Sequence, residues 1–311
     1  MSARLATAPS APVWSVPDCL DAVEKRCRKL IQPALATESD PFAMAARAAD
    51  YHLHAGGGRI RARLALDAAL QLGLSARTAV VIASTCELLH NASLVHDDLQ
   101  DRDSTRRGVD AVWKRFDAET AICTGDLLLS SAYASLADLD DATPLRQMLS
   151  LVHLRTTAAI QGQCADVAHR TTPVTDVATY LRIVAGKSGA LLSLPLELVL
   201  LAAEQSPWTK LACDAAQAFA IGYQIADDLQ DVSRDTGSDA ATQALNVVLL
   251  MQRDVALAPD ASQELRSAHA RQQAIALARQ QLTLAARNAA ALPHQCGNLL
   301  AQLANDLARQ W

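Results

Sequence analysis

The sequence predicts an all-α fold, a large single-domain helical bundle. Ala, Leu, Arg and Gln are frequent, and runs of β-branched residues are short, a composition that favours helix over strand. Half of the 311 residues are hydrophobic, which is enough to bury a substantial core. Apolar residues also recur at intervals of three and four, the period of a helix with one buried face, as at Ala79, Ile82, Ala83, Cys86 and Leu89.

Turn-forming residues divide the chain into predicted helices of roughly 15 to 30 residues. No linker or change in composition separates two domains, so we predict one domain over residues 16–311. Residues 1–15 are rich in Ala, Pro and Ser and lack the basic start and apolar stretch of a signal peptide, so they are predicted to be a flexible tail. The predicted breaks lie near Glu38–Pro41, Gly56–Gly58, Leu72–Ser75, Asp103–Gly108, Asp138–Pro144, Thr171–Thr175, Gln205–Pro207, Asp235–Asp239 and Pro259–Ser262.

Charge, hydropathy and cysteine usage exclude several classes of protein. A formal charge of −5 and a pI near 5.9 provide no basic surface for nucleic acid. The most apolar run, Leu191 to Ala203, is interrupted by Pro195 and Glu197 and is shorter than the roughly 20 residues that span a membrane. The seven cysteines have no paired CxxC spacing, as expected for reduced thiols. We therefore expect a soluble cytoplasmic protein without a transmembrane segment.

The same acidic pentapeptide occurs twice, as Asp97-Asp98-Leu99-Gln100-Asp101 and as Asp227-Asp228-Leu229-Gln230-Asp231. Each copy ends a strongly apolar predicted helix, at 76–99 and 210–229, and these two helices should be central in the bundle. Aspartates four residues apart on one helix face repel each other, and a helix C-terminus adds further negative charge. A bound cation would remove both costs. Carboxylate oxygens without Cys or His select a hard cation such as Mg²⁺, which completes its shell with water and phosphate oxygens. The alternative for either cluster alone is a solvated acidic face.

Further motifs surround the clusters in a fixed order. They are Glu87-Leu-Leu-His90, Arg106-Arg107-Gly108, Gly125-Asp126, Gly162-Gln163 with Asp166, Lys187-Ser188 and Gly222-Tyr223-Gln224. This set, which runs from about Gly56 to Asp231, resembles the trans-isoprenyl diphosphate synthases. The resemblance implies a helical bundle around a deep central cavity, a homodimer, and a Mg²⁺-dependent prenyltransferase. Such an enzyme condenses isopentenyl diphosphate with an allylic diphosphate.

The resemblance also assigns roles to individual residues. Three Mg²⁺ ions would bind with the substrate, held by Asp97, Asp101 and Asp227. The remaining aspartates of the two clusters would support or complete the metal shells, namely Asp98, Asp228 and Asp231. The allylic diphosphate would be contacted by Arg106, Lys187, Ser188 and Gln224. Isopentenyl diphosphate would be bound by Arg61, His90 and Arg107, since Arg suits bidentate contacts with anions.

Several of these assignments have a structural alternative. Arg106 and Arg107 could be a solvated loop pair, although a neighbouring carboxylate cluster favours contact with a diphosphate. His90 lies two helical turns before Asp97 on the same face, which favours binding over a role in the core. His96 is interpreted as a hydrogen-bonded core residue and is left out of the site. Asp126 and Gln163 could equally be structural polar contacts.

Two departures from the family pattern remove positive charge. Gly58 stands where the family has a lysine, so Arg59 or Arg63 would have to substitute for it. The segment after the second cluster, 233–246, contains only Arg234 where lysines are usual. These losses leave two alternatives open, a class I terpene synthase on the same fold and a non-catalytic subunit of a heteromeric synthase. An aromatic content of 4% argues against a cyclase, and two intact acidic clusters argue against a non-catalytic subunit.

The residues before the first cluster indicate the length of the product. In this family a bulky aromatic five residues before the cluster stops chain growth early, but here that residue is Ala92, followed by Ser93. The growing chain can therefore pass this level. One helical turn deeper, about 5.4 Å, lies Leu89, the candidate floor of the cavity. We therefore predict a twenty-carbon product, geranylgeranyl diphosphate, in preference to the fifteen-carbon farnesyl diphosphate.

Overall fold

The computed structural model describes residues 14–32, 40–139, 144–236, 245–253 and 262–311. Within these ranges the chain forms thirteen α-helices and one short β-hairpin, which confirms the predicted all-α fold. The helices are α1 (Val16–Ile31), α2 (Met44–His54), α3 (Ile60–Gln71), α4 (Ala76–Asp101), α5 (Val112–Arg115), α6 (Ala118–Leu136), α7 (Leu145–Ala168), α8 (Val177–Val184), α9 (Ala190–Ala202), α10 (Thr209–Thr236), α11 (Val247–Arg253), α12 (Gln263–Ala290) and α13 (Asn298–Ala308).

The β-hairpin follows α4 directly and pairs β1 (Thr105–Arg106) with β2 (Val109–Asp110) in antiparallel register. Arg107 and Gly108 form its turn, both with positive φ. The sequence predicts a break here but not a hairpin. Because the hairpin folds back beside the end of α4, it carries Arg106 of β1 to Asp98 of the acidic cluster, whereas Arg107 of the turn contacts Gly56.

Polar side chains set the starts of the main helices. Ser75 accepts a hydrogen bond from the backbone N–H of Thr78, and Asp117, Asp176 and Ser262 cap α6, α8 and α12 in the same way. Such caps satisfy backbone donors that have no partner within the helix. The predicted breaks near 72–75 and 205–207 are confirmed. Others were missed, at Phe116–Asp117 and at the segment between α12 and α13. The predicted breaks at 38–41, 138–144, 235–239 and 259–262 lie partly outside the described residues.

The two helices that carry the acidic clusters lie inside the bundle, as predicted. Helix α4 packs against α1, α3, α6 and α9, and α10 packs against α9 and α12. Helix α4 ends at Asp101, and Arg102 then leaves it with a φ of 59°. The second cluster differs from expectation, because α10 continues past Asp231 to Thr236. The repulsion between the acidic cluster and the negative end of a helix dipole therefore applies only to the first cluster.

Two helical stretches are long and apolar enough to cross a membrane by length and composition, Ala76–Asp101 and Val177–Ala202. In each, 78% of the most apolar window is buried inside the fold. Core helices of a bundle meet the same criteria, so this is weak support for a membrane span. Most of the predicted N-terminal tail, residues 1–13, lies outside the described residues. Trp14 donates a hydrogen bond to the carbonyl of Leu74, and Ser15 caps α1.

Candidate active site

The first acidic cluster ends α4, and its three carboxylates lie in different surroundings. Asp97 lines a cavity, and it forms no hydrogen bond within the part of the chain that the structure describes. Burial, opposed by Lys187 and reinforced by Asp101, raises the pKa of Asp97 to about 7. A buried carboxylate with a raised pKa gains most from a bound cation. Asp97 is therefore suited to metal binding.

Asp101 lies between two cations. Its Oδ1 accepts a hydrogen bond from Arg170 Nη2 at 2.7 Å, and its Oδ2 lies 3.6 Å from Lys187 Nζ. Lys187 also donates to Asp166 of α7. Burial lowers the pKa of Lys187, but Asp166 and Asp101 outweigh that effect and raise it, so the ammonium group stays charged. Asp101 thus contacts two cations directly.

Lys187 and Ser188 lie in a π-helical segment, Ala185–Gly189, between α8 and α9. Such single-turn insertions are frequent at functional sites. Helix α7 crosses this segment so closely that a Cβ atom on Gly162 would lie 2.2 Å from the backbone nitrogen of Lys187. The glycine of the Gly162-Gln163 motif therefore permits the approach that brings Lys187 to the acidic cluster.

Asp98 faces away from the cleft that Asp97 borders. Its side chain is 1% exposed, and Oδ1 accepts hydrogen bonds from both Nε and Nη2 of Arg106. Asp103 lies 3.6 Å from the same guanidinium. Burial raises the pKa of Asp98, and Arg106 opposes that shift. In this structure Asp98 therefore holds the β-hairpin to α4 and is not directed towards a metal.

The second cluster divides in the same way. Burial, together with Asp231 four residues later on the same helix, raises the pKa of Asp227 to about 6. Asp228 is 4% exposed and accepts hydrogen bonds from the Tyr180 hydroxyl at 2.8 Å, Gln224 Nε2 at 2.9 Å and the Val247 backbone N–H at 2.8 Å. Asp228 and Gln224 are thus committed to contacts within the fold.

Residues of α7 and α8 lie between the two clusters. Asp166 is close enough to raise the pKa of both Lys187, beside the first cluster, and Tyr180, beside the second. Tyr180 is fully buried, and Asp227 and Asp228 also raise its pKa. The two clusters therefore share one electrostatic environment, with Asp166 as a third acidic group between them.

The donor set fits Mg²⁺ bound together with a substrate. Among the described residues no three carboxylate, imidazole or thiolate groups converge closely enough to hold a metal by themselves. Mg²⁺ commonly takes one or two carboxylates and fills its octahedron with water and phosphate oxygens. The Asp97–Asp101 and Asp227–Asp231 faces supply carboxylates of this kind, whereas His and Cys are not among them.

A cationic pocket lies at the loop before α3, where Arg107 contacts Gly56. It brings together Arg61, His90 and Arg107 with His52 of α2. Burial, Arg61 and Arg107 hold the pKa of His90 well below its usual range, and burial and Arg107 lower the pKa of His52 to about 4. Arg61 Nε is buried without a hydrogen-bond partner. These groups suppress one another's protonation, so a bound anion would be stabilised here.

The loop before α3 shapes this pocket. Arg107 donates a hydrogen bond to the carbonyl of Gly56, and a Cβ on Gly57 would lie 2.6 Å from the Arg107 guanidinium carbon. Gly57 also has a φ of 127°, which side chains rarely allow. The glycine run therefore lets the guanidinium lie directly on the loop backbone.

Arg59 does not directly replace the lysine that is missing at Gly58. Its guanidinium donates to Glu24 Oε1 at 3.2 Å and to the Leu53 carbonyl at 3.1 Å, and it lies 3.7 Å from Glu87. Its side chain is only 13% exposed. Arg59 therefore joins α1, α2 and α4, while Arg63 is exposed on α3.

An apolar cavity of about 290 Å³ opens beside Asp97 and Lys187 and descends between α4, α6, α7 and α9. The predicted chain-length residues Leu89, Ala92 and Ser93 all line it. His96 also lines the cavity and lies 3.7 Å from Asp126. It is therefore not a core residue, contrary to the expectation from the sequence. Two unpaired polar side chains on α7, Thr156 and Gln163, also border it. The other lining residues are Gln100, Leu129, Ala159, Ile160, Cys164 and Leu191.

A helical bundle with two aspartate faces, the first of them beside an apolar cavity, defines a class of enzymes that act on prenyl diphosphates, the isoprenoid synthases. Comparison with known proteins agrees. The family model "Polyprenyl synthetase" matches residues 43–273. The chain belongs to the polyprenyl synthetase family.

Named relatives within the family make prenyl diphosphates. The chain is 34% identical to the geranylgeranyl pyrophosphate synthase of Geoglobus acetivorans over 62% of this chain and 63% of that protein. It is 32% identical to the geranylgeranyl diphosphate synthase of Rhodobacter capsulatus over 74% of this chain and 81% of that protein. The aligned segment therefore spans less than two thirds of the first of these proteins.

A solved structure of the Geoglobus acetivorans geranylgeranyl pyrophosphate synthetase superposes with a TM-score of 0.78. It is 27% identical and covers 94% of this chain and 99% of the other. A decaprenyl diphosphate synthase from Rhodobacter capsulatus, at 21% identity, has the same fold with a TM-score of 0.78 and covers 95% of this chain and 97% of the other. The fold thus accommodates products of different lengths.

Sequence reasoning missed two contributors to the site. His52 belongs to the cationic pocket, and its ring nitrogen lies 3.1 Å from the side-chain oxygen of Asn91. Arg170 reaches Asp101 across 69 residues of sequence. Neither residue lies in a sequence motif that indicates its role.

Proposed function

We propose that this chain condenses isopentenyl diphosphate with an allylic diphosphate to give a short-chain trans-prenyl diphosphate, geranylgeranyl diphosphate. One observation carries the proposal. The Asp97 carboxylate borders an apolar cavity, and Asp101 lies one turn further along the same helix. A separate cationic pocket brings Arg61 and Arg107 together with His90. A two-substrate prenyl transfer needs one site for a metal-bound diphosphate, one for a second diphosphate, and room for a hydrocarbon chain.

The aspartates would hold Mg²⁺, which acts as a Lewis acid and neutralises the leaving diphosphate so that its carbon–oxygen bond can ionise. Lys187 lies within reach of Asp101 and Asp97 and would meet the same diphosphate. Arg61, Arg107 and His90 would bind the diphosphate of isopentenyl diphosphate, whose double bond then attacks the allylic carbon. The departing diphosphate accepts the proton that is lost.

Arg106 and Gln224 need a changed interpretation within this scheme. Arg106 is paired with Asp98, and Gln224 donates to Asp228, so both hold the acidic clusters in place in this structure. Asp98 and Asp228 accordingly hold the site in place through these contacts. The metal ligands that we propose are Asp97, Asp101, Asp227 and Asp231, with three Mg²⁺ ions when substrate is bound.

The cavity supports a twenty-carbon product. Ala92 and Ser93 are small, so a growing prenyl chain can pass their level of the cavity. Leu89 lies one turn deeper on α4, where the chain would meet it. Leu129 and Leu191 face the same space from α6 and α9. Relatives named as geranylgeranyl diphosphate synthases support this length.

We also propose a cytoplasmic homodimer. Ile122 on α6 and Leu154 and Ile160 on α7 expose 49%, 56% and 56% of their surfaces. Large exposed apolar side chains on two packed helices favour a protein interface. All seven cysteines are free, in keeping with a reducing compartment.

A direct test is incubation of the purified protein with Mg²⁺, radiolabelled isopentenyl diphosphate and, separately, dimethylallyl, geranyl or farnesyl diphosphate. After dephosphorylation, the chain length of the labelled alcohols is measured. Label in a twenty-carbon alcohol supports the proposal. If farnesyl or geranylgeranyl diphosphate alone yields hydrocarbon, the terpene synthase alternative is correct, and no turnover with any substrate favours the non-catalytic subunit.

A further inference from the structure

We propose that Arg170 positions Asp101 as a metal ligand and thereby sets the affinity of the first acidic cluster for divalent cations. This inference rests on the proposed function in taking Asp101 as a metal ligand. Arg170 follows the end of α7 and is not part of the acidic clusters or of the motifs around them. Its role is defined by what its guanidinium contacts.

The guanidinium makes two contacts at the end of α4. Nη2 donates to Asp101 Oδ1 at 2.7 Å, and Nη1 donates to the backbone carbonyl of Gln100 at 2.8 Å. The Gln100 carbonyl is one of the last in the helix, where acceptors lack intrahelical partners and the helix carries partial negative charge. Arg170 therefore fixes the last helical residue and its carboxylate with one planar group.

The geometry leaves the other carboxylate oxygen for a metal. Oδ1 of Asp101 is occupied by Arg170, whereas Oδ2 lies 3.6 Å from Lys187 Nζ, beyond hydrogen-bond distance. A carboxylate that is hydrogen-bonded on one oxygen is held in one orientation and can bind a cation through the other. Partners of this kind commonly change metal affinity by roughly 10- to 100-fold when they are removed.

Asp101 needs this support because of its place in the chain. The next residue, Arg102, leaves the helix with a φ of 59°, so Asp101 has no following turn of helix to restrict it. Arg170 is itself fixed, because its backbone N–H bonds to the Val167 carbonyl at 3.2 Å and the adjacent His169 ring accepts from the Val174 N–H at 2.9 Å. The hydrogen-bonded turn after α7 thus holds Arg170, and Arg170 restricts Asp101 at the end of α4.

The charge of Arg170 alone predicts the opposite effect, which makes the inference testable. Removing a positive charge beside a cation site strengthens cation binding by simple electrostatics. If Arg170 instead acts by orienting Asp101, its removal weakens cation binding. The direction of the change therefore distinguishes the two roles.

The experiment measures Mn²⁺ binding by electron paramagnetic resonance, with and without inorganic diphosphate, for the full chain and for Arg170→Ala and Arg170→Lys. We expect about a tenfold loss of Mn²⁺ affinity in Arg170→Ala. We expect a smaller loss in Arg170→Lys, which keeps the charge but not the two-pronged contact. Arg182→Ala, an exposed arginine on α8, controls for the change in net charge.

Thermal unfolding of each variant checks that the fold is kept, and Arg170→Gln, which retains a donor for Asp101, replaces the alanine variant if that protein does not fold. Unchanged or tighter Mn²⁺ binding in Arg170→Ala, or an equal loss in Arg182→Ala, overturns the inference. A wild-type protein that binds no Mn²⁺ even with diphosphate instead contradicts the proposed function, so the two failures can be told apart.

Discussion

The guanidinium of Arg106, in the first strand of the hairpin, is paired with the buried carboxylate of Asp98 on α4. The pair draws the middle aspartate of the cluster away from the cleft that Asp97 borders. In the second cluster Asp228 is turned inwards in the same way, by Tyr180 and the backbone of Val247. In both acidic repeats the second aspartate is therefore held by hydrogen bonds within the fold, while the aspartate before it is partly buried with a raised pKa.

Asp97 and Asp227, the first aspartates of the two clusters, should be needed for turnover but not for folding. We expect Asp97→Ala or Asp227→Ala to lower turnover by several orders of magnitude, because each removes a carboxylate from a cation site. The metal-free fold should be unchanged or slightly more stable, since burial raises the pKa of both groups and so disfavours their ionised forms. Steady-state kinetics with Mg²⁺ and urea unfolding without it measure the two effects. Retained activity in both variants would mean that the clusters are solvated surface.

Asp228 should behave in the opposite way. We expect Asp228→Ala to lower the free energy of unfolding by roughly 3 kcal/mol, because it leaves the buried Tyr180 hydroxyl and the Val247 N–H without an acceptor. Urea unfolding of Asp228→Ala beside Asp227→Ala provides a matched comparison of adjacent residues on one helix. Equal stability of the two variants would contradict the structural role.

Leu89 should limit the length of the product. We expect Leu89→Ala to yield products longer than twenty carbons, because it deepens the cavity along α4. Leu88→Ala is the control, since Leu88 is equally apolar and fully buried but does not line the cavity. Both variants lose a buried side chain, but only Leu89→Ala should change the chain-length distribution measured by chromatography. An unchanged product in Leu89→Ala would show that another residue forms the floor.

His52 should make folding sensitive to acid. Its pKa is lowered to about 4 by burial, by Arg107 and, more weakly, by Arg106 and Arg59, whereas the unfolded chain takes up the proton near pH 6.5. The unfolded state therefore binds more protons between pH 6.5 and pH 4, and His52 lowers stability by roughly 3 kcal/mol as the pH falls through that window. The hydrogen bond of 3.1 Å to Asn91 raises the pKa and only partly offsets the shift.

The test is urea unfolding of the metal-free protein at pH 7 and at pH 4.5. His52→Gln keeps a donor for Asn91 Oδ1 but cannot be protonated, so it should lose less stability than the wild type between the two pH values. His54→Gln, at an exposed position of the same helix, should match the wild type. If His52→Gln and the wild type lose equal stability, His52 is not the acid-sensitive group.

The local parts of the fold follow from neighbours in the sequence. Apolar spacing of three and four residues predicts α4 and α10, and the i, i+4 spacing within each acidic repeat places Asp97 with Asp101 and Asp227 with Asp231 on one face. The glycines of the 56–58 loop predict a break, and the structure has one there. These features depend on contacts within one or two helical turns, which is why the sequence is sufficient for them.

The orientation of the site depends on contacts between distant segments. The helices, the two acidic faces and the small residues at Ala92 and Ser93 can be read from the amino-acid order. The inward turn of Asp98 and Asp228, the pairing of Arg59 with Glu24 and the contact of Arg170 with Asp101 across 69 residues of sequence are seen only in the folded chain. Helix periodicity fixes which face a side chain occupies, whereas the partner it meets there is set by how whole helices pack against each other.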